Sequence, residues 1–254
     1  MRGAVPWRME GWGKNGGRIM KIAMWSGPRN LSTAMMYAFA ARGDCAVWDE
    51  PFYAPYLAAS GADHPMRAEI LRAHEVDPAK VAARCAGPVP GDAAHWYMKH
   101  MPHHMASGFP LDWAGDCVNI HLIRHPARVI ASYAEKRDDI TLEDIGYPQQ
   151  ARLWQALGGP VIAAEDMRAD PARALGLLCA EIGLPYRASM LAWPAGAKDF
   201  DGVWASHWYH AVHRSTGFAG AEGPLPELPP ERAAVLAAAM PLYEAMRAVS
   251  LTPR

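Results

Sequence analysis

Ile22-Ala23-Met24-Trp25-Ser26-Gly27-Pro28-Arg29-Asn30-Leu31-Ser32-Thr33 decides the reading of this chain. A short apolar run, Ile22-Ala23-Met24, passes through a turn into a segment whose pattern predicts a helix over Leu31–Arg42. Strand, tight turn and helix N-terminus together make an anion site. The first N–H groups of a helix lack intrahelical acceptors, and the helix dipole adds partial positive charge there. Arg29 brings a permanent cation to that turn, and Ser32 and Thr33 bring hydroxyls. The spacing is not that of a GxxxxGK[ST] loop, which counts against a generic nucleotide kinase.

Outward from this turn, short apolar runs alternate with longer helical stretches. That is the pattern of an α/β fold with a mostly parallel central sheet flanked by helices in three layers. Strands are expected at Lys21–Trp25, Ala46–Trp48, Trp96–Lys99, Val118–Ile123 and Pro160–Ala163. Helices are expected at Leu31–Arg42, Pro78–Cys85, Ala127–Lys136, Pro148–Leu157, Pro171–Ile182 and Glu231–Val249, with Pro241 kinking or splitting the last. Pro51 to Asp77 reads as a loop with one short helix, and Trp193 to Pro230 as a long ordered loop region. Residues 1–18, rich in Gly and lacking the apolar stretch of a secretory signal, read as a disordered extension. Residues 19–254 read as one domain.

Composition narrows the function classes. A net charge of −1 over 254 residues makes no case for nucleic acid or an anionic membrane surface as partner. No apolar run approaches the ~20 residues a spanning helix needs. Cys45, Cys85, Cys117 and Cys179 are widely spaced, which favours reduced thiols and a cytoplasmic setting over disulfides or a zinc site.

A second motif stands about a hundred residues downstream. The strand ending His121-Leu122-Ile123 runs into Arg124-His125-Pro126, and Ser132 follows in the next helix. Arg124 falls at the C-terminal edge of the sheet, where open α/β folds bind ligands. It also reads as half of an ordinary ion pair. With Ser132 it suits a second phosphate.

On these two motifs the chain resembles the sulfotransferase family that uses 3′-phosphoadenosine-5′-phosphosulfate (PAPS). Pro28-Arg29-Asn30-Leu31-Ser32-Thr33 aligns without a gap on that family's P-K-S-G-T-T-type loop, which holds the 5′-phosphosulfate. Arg124, Pro126 and Ser132 match its Arg-x-Pro-x5-Ser signature, which binds the 3′-phosphate. The resemblance implies a P-loop-like fold, PAPS as donor co-substrate without a metal, and a small hydroxyl or amine acceptor. It covers Ile22 to Glu135 closely and the C-terminal half only loosely. Arg29 stands where many members carry Lys, and an arginine can stabilise charge but cannot act as an acid. Asn30 and Leu31 make the turn bulkier than usual, so Gly27 is expected to take its demanding backbone angle.

Two residues compete as the base for the acceptor's proton. Glu50 follows the second strand in Asp49-Glu50-Pro51-Phe52, a context resembling the base of some bacterial members. His100, in Lys99-His100-Met101-Pro102, is one residue short of the family's K-[TS]-H-x-P, and His103 or His104 can substitute by a shift of register. Catalytic roles are thus expected at Arg29, Glu50 and His100, and donor binding at Gly27 through Thr33 with Arg124 and Ser132. Asp49 reads more simply as a loop cap, and the three histidines lack a fourth ligand at metal-site spacing. The segment Trp204 to Phe218, aromatic and with Arg214, suits either an acceptor pocket or a loop folded on the core. The competing functions are an ATP-dependent phosphotransferase, for which Asp49 would have to hold the metal, and a non-catalytic nucleotide-binding module. Acceptor identity and oligomeric state stay open.

Overall fold

A computed structural model describes residues 19–135 and 139–252. Residues 1–18, read above as an extension, and Lys136, read as a helix end, lie outside that range. The strands are β1 (Met20–Ser26), β2 (Cys45–Asp49), β3 (His95–His100), β4 (Val118–Ile123) and β5 (Val161–Ala163). They form one sheet in the order β2-β3-β1-β4-β5, and every pairing is parallel. The helices are α1 (Ser32–Ala40), α2 (Tyr53–Ser60), α3 (Arg67–Ala73), α4 (Pro78–Ala86), α5 (Pro126–Ala134), α6 (Tyr147–Leu157), α7 (Ala164–Ala169), α8 (Pro171–Glu181), α9 (Ala205–Trp208), α10 (His210–His213) and α11 (Ala233–Arg247).

The sheet is buried on both faces, as parallel sheets are. Ile22 and Met24 of β1 pack with Met35, Met36 and Phe39 of α1, while Ala23 and Trp25 pack with Val81, Ala82 and Cys85 of α4. The two-residue period of the strand produces this division. Beyond β4, α5 and α11 cover Ile123, Val161 and Ala163 through Val129, Ile130, Tyr243 and Met246. All five expected strands are present, in the P-loop-like three-layer arrangement.

Several expectations need correction. Pro51–Asp77 holds two helices, α2 and α3, rather than one, because Leu57 and Ile70 each anchor a turn too short to show a period. The last helix begins at Ala233 after a 3-10 turn, and Pro241 does not split it. Pro241 and Ala237 both lie on its exposed side, so the carbonyl that the missing N–H leaves unbonded faces water. Gly27 does not take a positive φ; Arg29 (61°), Leu31 (76°) and Glu50 (40°) do. Gly27 is required for closeness instead, since a Cβ there would meet the Ile145 carbonyl oxygen at 2.8 Å.

Candidate active site at the sheet's switch point

β1 leads away to β2 on one side of the sheet, and its neighbour β4 leads to β5 on the other. Their connections therefore diverge, leaving a crevice at the C-terminal strand ends, the place where such sheets bind ligands. A cavity of about 410 Å³ opens there. It receives the turn after β1, Glu50 after β2, Lys99 and the segment after β3, Arg124 after β4, and Ala164 after β5. Its size suits a small molecule.

The turn after β1 is fastened from behind. Gly27 N–H donates to Gln150 Oε1 (3.0 Å), whose amide donates back to the Trp25 carbonyl (2.9 Å). Asn30 is buried, and its Nδ2 donates to the Leu122 carbonyl at 3.3 Å. Gly27 and Asn30 thus hold the turn and do not line the cavity, whereas Pro28, Arg29, Leu31, Ser32 and Thr33 do. Leu31 precedes α1 in the left-handed region, and no side chain among the described residues caps that helix. Two non-glycine residues of unfavourable φ, Arg29 and Leu31, flank Asn30, and such strain is of the kind kept at functional sites.

Arg29 and Arg124 are brought together. Arg29 Nε donates to Ser132 Oγ at 2.9 Å, and Arg124 Nη1 donates to the Arg29 carbonyl at 2.7 Å. Both arginines and Ser132 line the cavity. Burial pulls the Arg29 pKa down, with Glu135 opposing and the Arg124 cation adding to the fall. A guanidinium keeps its proton through such a shift. Arg124 also pairs with Glu222. The ion-pair reading of Arg124 therefore holds as well, with a partner in a loop.

Glu50 lies across the cavity in a buried ionic cluster. Lys99 Nζ donates to Glu50 Oε1 (2.6 Å), to Asp49 Oδ1 (3.0 Å) and to the Tyr209 hydroxyl (2.5 Å). Tyr209 O–H bonds Asp49 in turn (2.8 Å to Oδ2), and Gly202 N–H donates to the same oxygen at 3.1 Å. Asp49 is thus neither a loop cap nor open to a metal; both its oxygens are engaged. One ammonium faces two carboxylates. Burial, with Asp49 beside it, raises the Glu50 pKa against the pull of Lys99. Burial alone would lower Lys99, but the two carboxylates outweigh it and hold the ammonium charged.

His100 is set apart from this chemistry. On β3 it faces opposite to Lys99, and its ring lies 4.7 Å from that of Trp25 and 4.9 Å from that of Trp113. Neither ring nitrogen has a hydrogen-bond partner among the described residues, and burial pushes its pKa down to about 3. The histidines that reach the cavity are His64, His103 and His104. His104 Nδ1 is 3.8 Å from Glu50 Oε2, and its ring stacks on Tyr53 at 4.3 Å.

The Trp204–Phe218 segment divides between the core and the cavity wall. Trp204 is a core residue whose Nε1 donates to Tyr209 at 3.1 Å, while Trp208, Val212, Ser215 and Gly217 line the cavity. Arg214 is exposed and outside it; Arg168 on α7 reaches it instead. The residues that sequence reasoning passed over are Lys99, Tyr209, Arg168 and Glu222, whereas His104, named as a possible substitute for His100, does reach the cavity. Lys99 carried a usable signal, a charge inside an apolar strand.

The chain is similar to known proteins over most of its length. The sulfotransferase domain model matches residues 20–250. Over 231 residues the chain is 34% identical to branched-chain-amino-acid aminotransferase-like protein 2 of Arabidopsis thaliana and 36% identical to protein 1 of that name. Each match covers 89% of this chain and 41% of the relative, so the chain spans less than half the length of these relatives. Among solved structures, the sulfotransferase domain of the Synechococcus PCC 7002 olefin synthase is 18% identical with a TM-score of 0.49, covering 94% of this chain and 98% of that one. That of the curacin biosynthetic pathway is 13% identical with a TM-score of 0.46, covering 94% of each. No helix among the described residues is long and apolar enough to cross a membrane. The match over residues 20–250 settles the family: the chain belongs to the sulfotransferase domain family.

Proposed function

We propose that residues 19–254 form one catalytic domain that transfers a sulfuryl group from PAPS to the hydroxyl or amine of a small acceptor. The observation that carries this reading is the joining of Arg29, Ser132 and Arg124 on one wall of the cavity, opposite Glu50. When bound, PAPS supplies the sulfuryl group; an acceptor O–S or N–S bond forms as the sulfur–oxygen bond to the 5′-phosphate breaks. Arg29, with the uncapped start of α1 and the hydroxyls of Ser32 and Thr33, neutralises charge developing on the 5′-phosphate. Preorganised donors of this kind contribute about 3 kcal/mol each. Arg124 and Ser132 hold the 3′-phosphate. Glu50 takes the acceptor's proton; its raised pKa brings it nearer the strength a base at neutral pH requires. Lys99 and Tyr209 orient that carboxylate.

A cytoplasmic setting is part of the reading. It is supported by four unpaired cysteines, whose thiols burial pushes up to about 11 or 12. The test is thermal: adenosine 3′,5′-bisphosphate stabilises the folded protein in proportion to its occupancy of the site. At a hundredfold excess over Kd the gain is about 2.7 kcal/mol. No shift with millimolar nucleotide, in protein that melts cooperatively, overturns the donor assignment.

A further inference from the structure

Glu222 is held by three guanidinium groups. Its Oε1 accepts from Arg124 Nη2 and, at 2.7 Å, from Arg168 Nη1. Arg128 Nε lies 3.1 Å from Oε2, yet neither atom has a hydrogen-bond partner among the described residues, so that approach is ionic only. The buried Arg124 Nε also lacks an acceptor among the described residues. These arginines come from three places: the end of β4, the first turn of α5, and α7. Arg168 adds a bond from Nε to the Gly220 carbonyl (2.8 Å), and Arg128 bonds the Gly223 carbonyl. The segment Gly220-Ala221-Glu222-Gly223 is neither helix nor strand and lays three oxygen groups on three cations.

The charges do not balance. Among the described residues, three guanidiniums meet the one Glu222 carboxylate, and two buried Nε–H donors go unused. A phosphate monoester carries about −1.5 to −2 charge at neutral pH and three acceptor oxygens. In place of Glu222 it brings more negative charge to the three cations and offers acceptors that a single carboxylate lacks. Arg124 and Arg168 already face the cavity.

We infer that Arg124, Arg128 and Arg168 form one binding site for a phosphate monoester dianion, and that Glu222 occupies it as a stand-in which the ligand must displace. The inference rests on the PAPS reading, in which this group is the 3′-phosphate of the donor. Arg128 and Arg168 become binding residues, and Glu222 a gate that admits only anions able to outcompete a carboxylate. A stand-in engaged in nine-tenths of the molecules weakens apparent affinity about tenfold.

The test is isothermal titration of the whole protein with adenosine 3′,5′-bisphosphate and with adenosine 5′-phosphate, which lacks the second phosphate. Glu222→Gln is expected to bind the bisphosphate about tenfold tighter and the monophosphate within about twofold of the parent. Arg168→Gln is expected to weaken the bisphosphate alone, by about tenfold, for the loss of one charged contact. Glu222→Asp, one methylene short of spanning the cluster, tightens bisphosphate binding in the same direction and serves if the glutamine variant fails to fold. If Glu222 is only a structural tether, its variants bind the bisphosphate no tighter or more weakly, and the inference is overturned while the donor reading stands. If the bisphosphate binds neither parent nor variants, both fall together.

Discussion

Replacing Lys99 with methionine removes the ammonium that Asp49 and Glu50 share. All three side chains are 8% exposed or less, so water cannot take its place. A buried ion pair left without one partner costs about 3–5 kcal/mol. For a chain of this length that lowers Tm by on the order of 10 °C. The dependence on pH is the sharper signature. Without Lys99 the buried Glu50 carboxyl ionises less readily in the folded state than in the unfolded chain, so its folded pKa, already raised by burial, rises further. Stability from the neutral form is then complete below the unfolded pKa and is lost as pH rises through the folded pKa. Lys99→Met should therefore lose more stability at about pH 8 than at about pH 5, opposite to ordinary acid unfolding. Urea melts at the two pH values measure this. Adding Glu50→Gln to Lys99→Met should restore at least ~1 kcal/mol, the coupling expected of residues in direct contact. A loss below ~1 kcal/mol, or one independent of pH, refutes the claim that this lysine sustains two buried charges.

Other outcomes follow from the same geometry. Glu50→Gln should lower kcat by about 10²–10⁴ while leaving bisphosphate affinity within about twofold, and its raised pKa puts the acid limb of the parent's kcat/KM profile above the usual carboxylate range. Arg29→Ala should lower kcat by about 10²–10³, measured against Arg29→Lys, which keeps the charge but not the Nε–Ser132 bond. His100→Phe should leave the rate unchanged and stability level or improved in thermal melts, because the ring forms no hydrogen bond among its aromatic neighbours. Gly27→Ala should cost about 1–3 kcal/mol in urea melts, since its Cβ is driven to 2.8 Å from the Ile145 oxygen.

The sheet was legible because each strand is an apolar run bounded by polar or turn-forming residues, and a parallel sheet buried on both faces needs such runs. The pairing of Arg29 with Arg124 and Ser132 was legible too, since each motif marks the C-terminal end of a strand and the topology sets those ends side by side. What surrounds Glu50 was not. Lys99 is next in sequence to His100, and only the strand's parity decides which of them enters the cavity. Tyr209 lies 160 residues from Asp49, in a segment without periodicity, and only the tertiary fold shows that they touch. Glu222 was hidden for the same reason: a carboxylate between glycines in an irregular loop carries no local mark of three distant arginines. Short helices such as α3 and α7 are set by one or two buried side chains, Ile70 and Met167, and offer too few turns for a helical pattern to emerge.

The central claim is transfer of a sulfuryl group under the hold of Arg29. The most direct measurement incubates the protein with PAPS labelled in its sulfuryl group and a cell extract, then follows the label. The account predicts that label passes to a small molecule with the parent protein and at least about a hundredfold more slowly with Arg29→Ala. Equal transfer by the two proteins, or none by a parent that binds adenosine 3′,5′-bisphosphate, would contradict it.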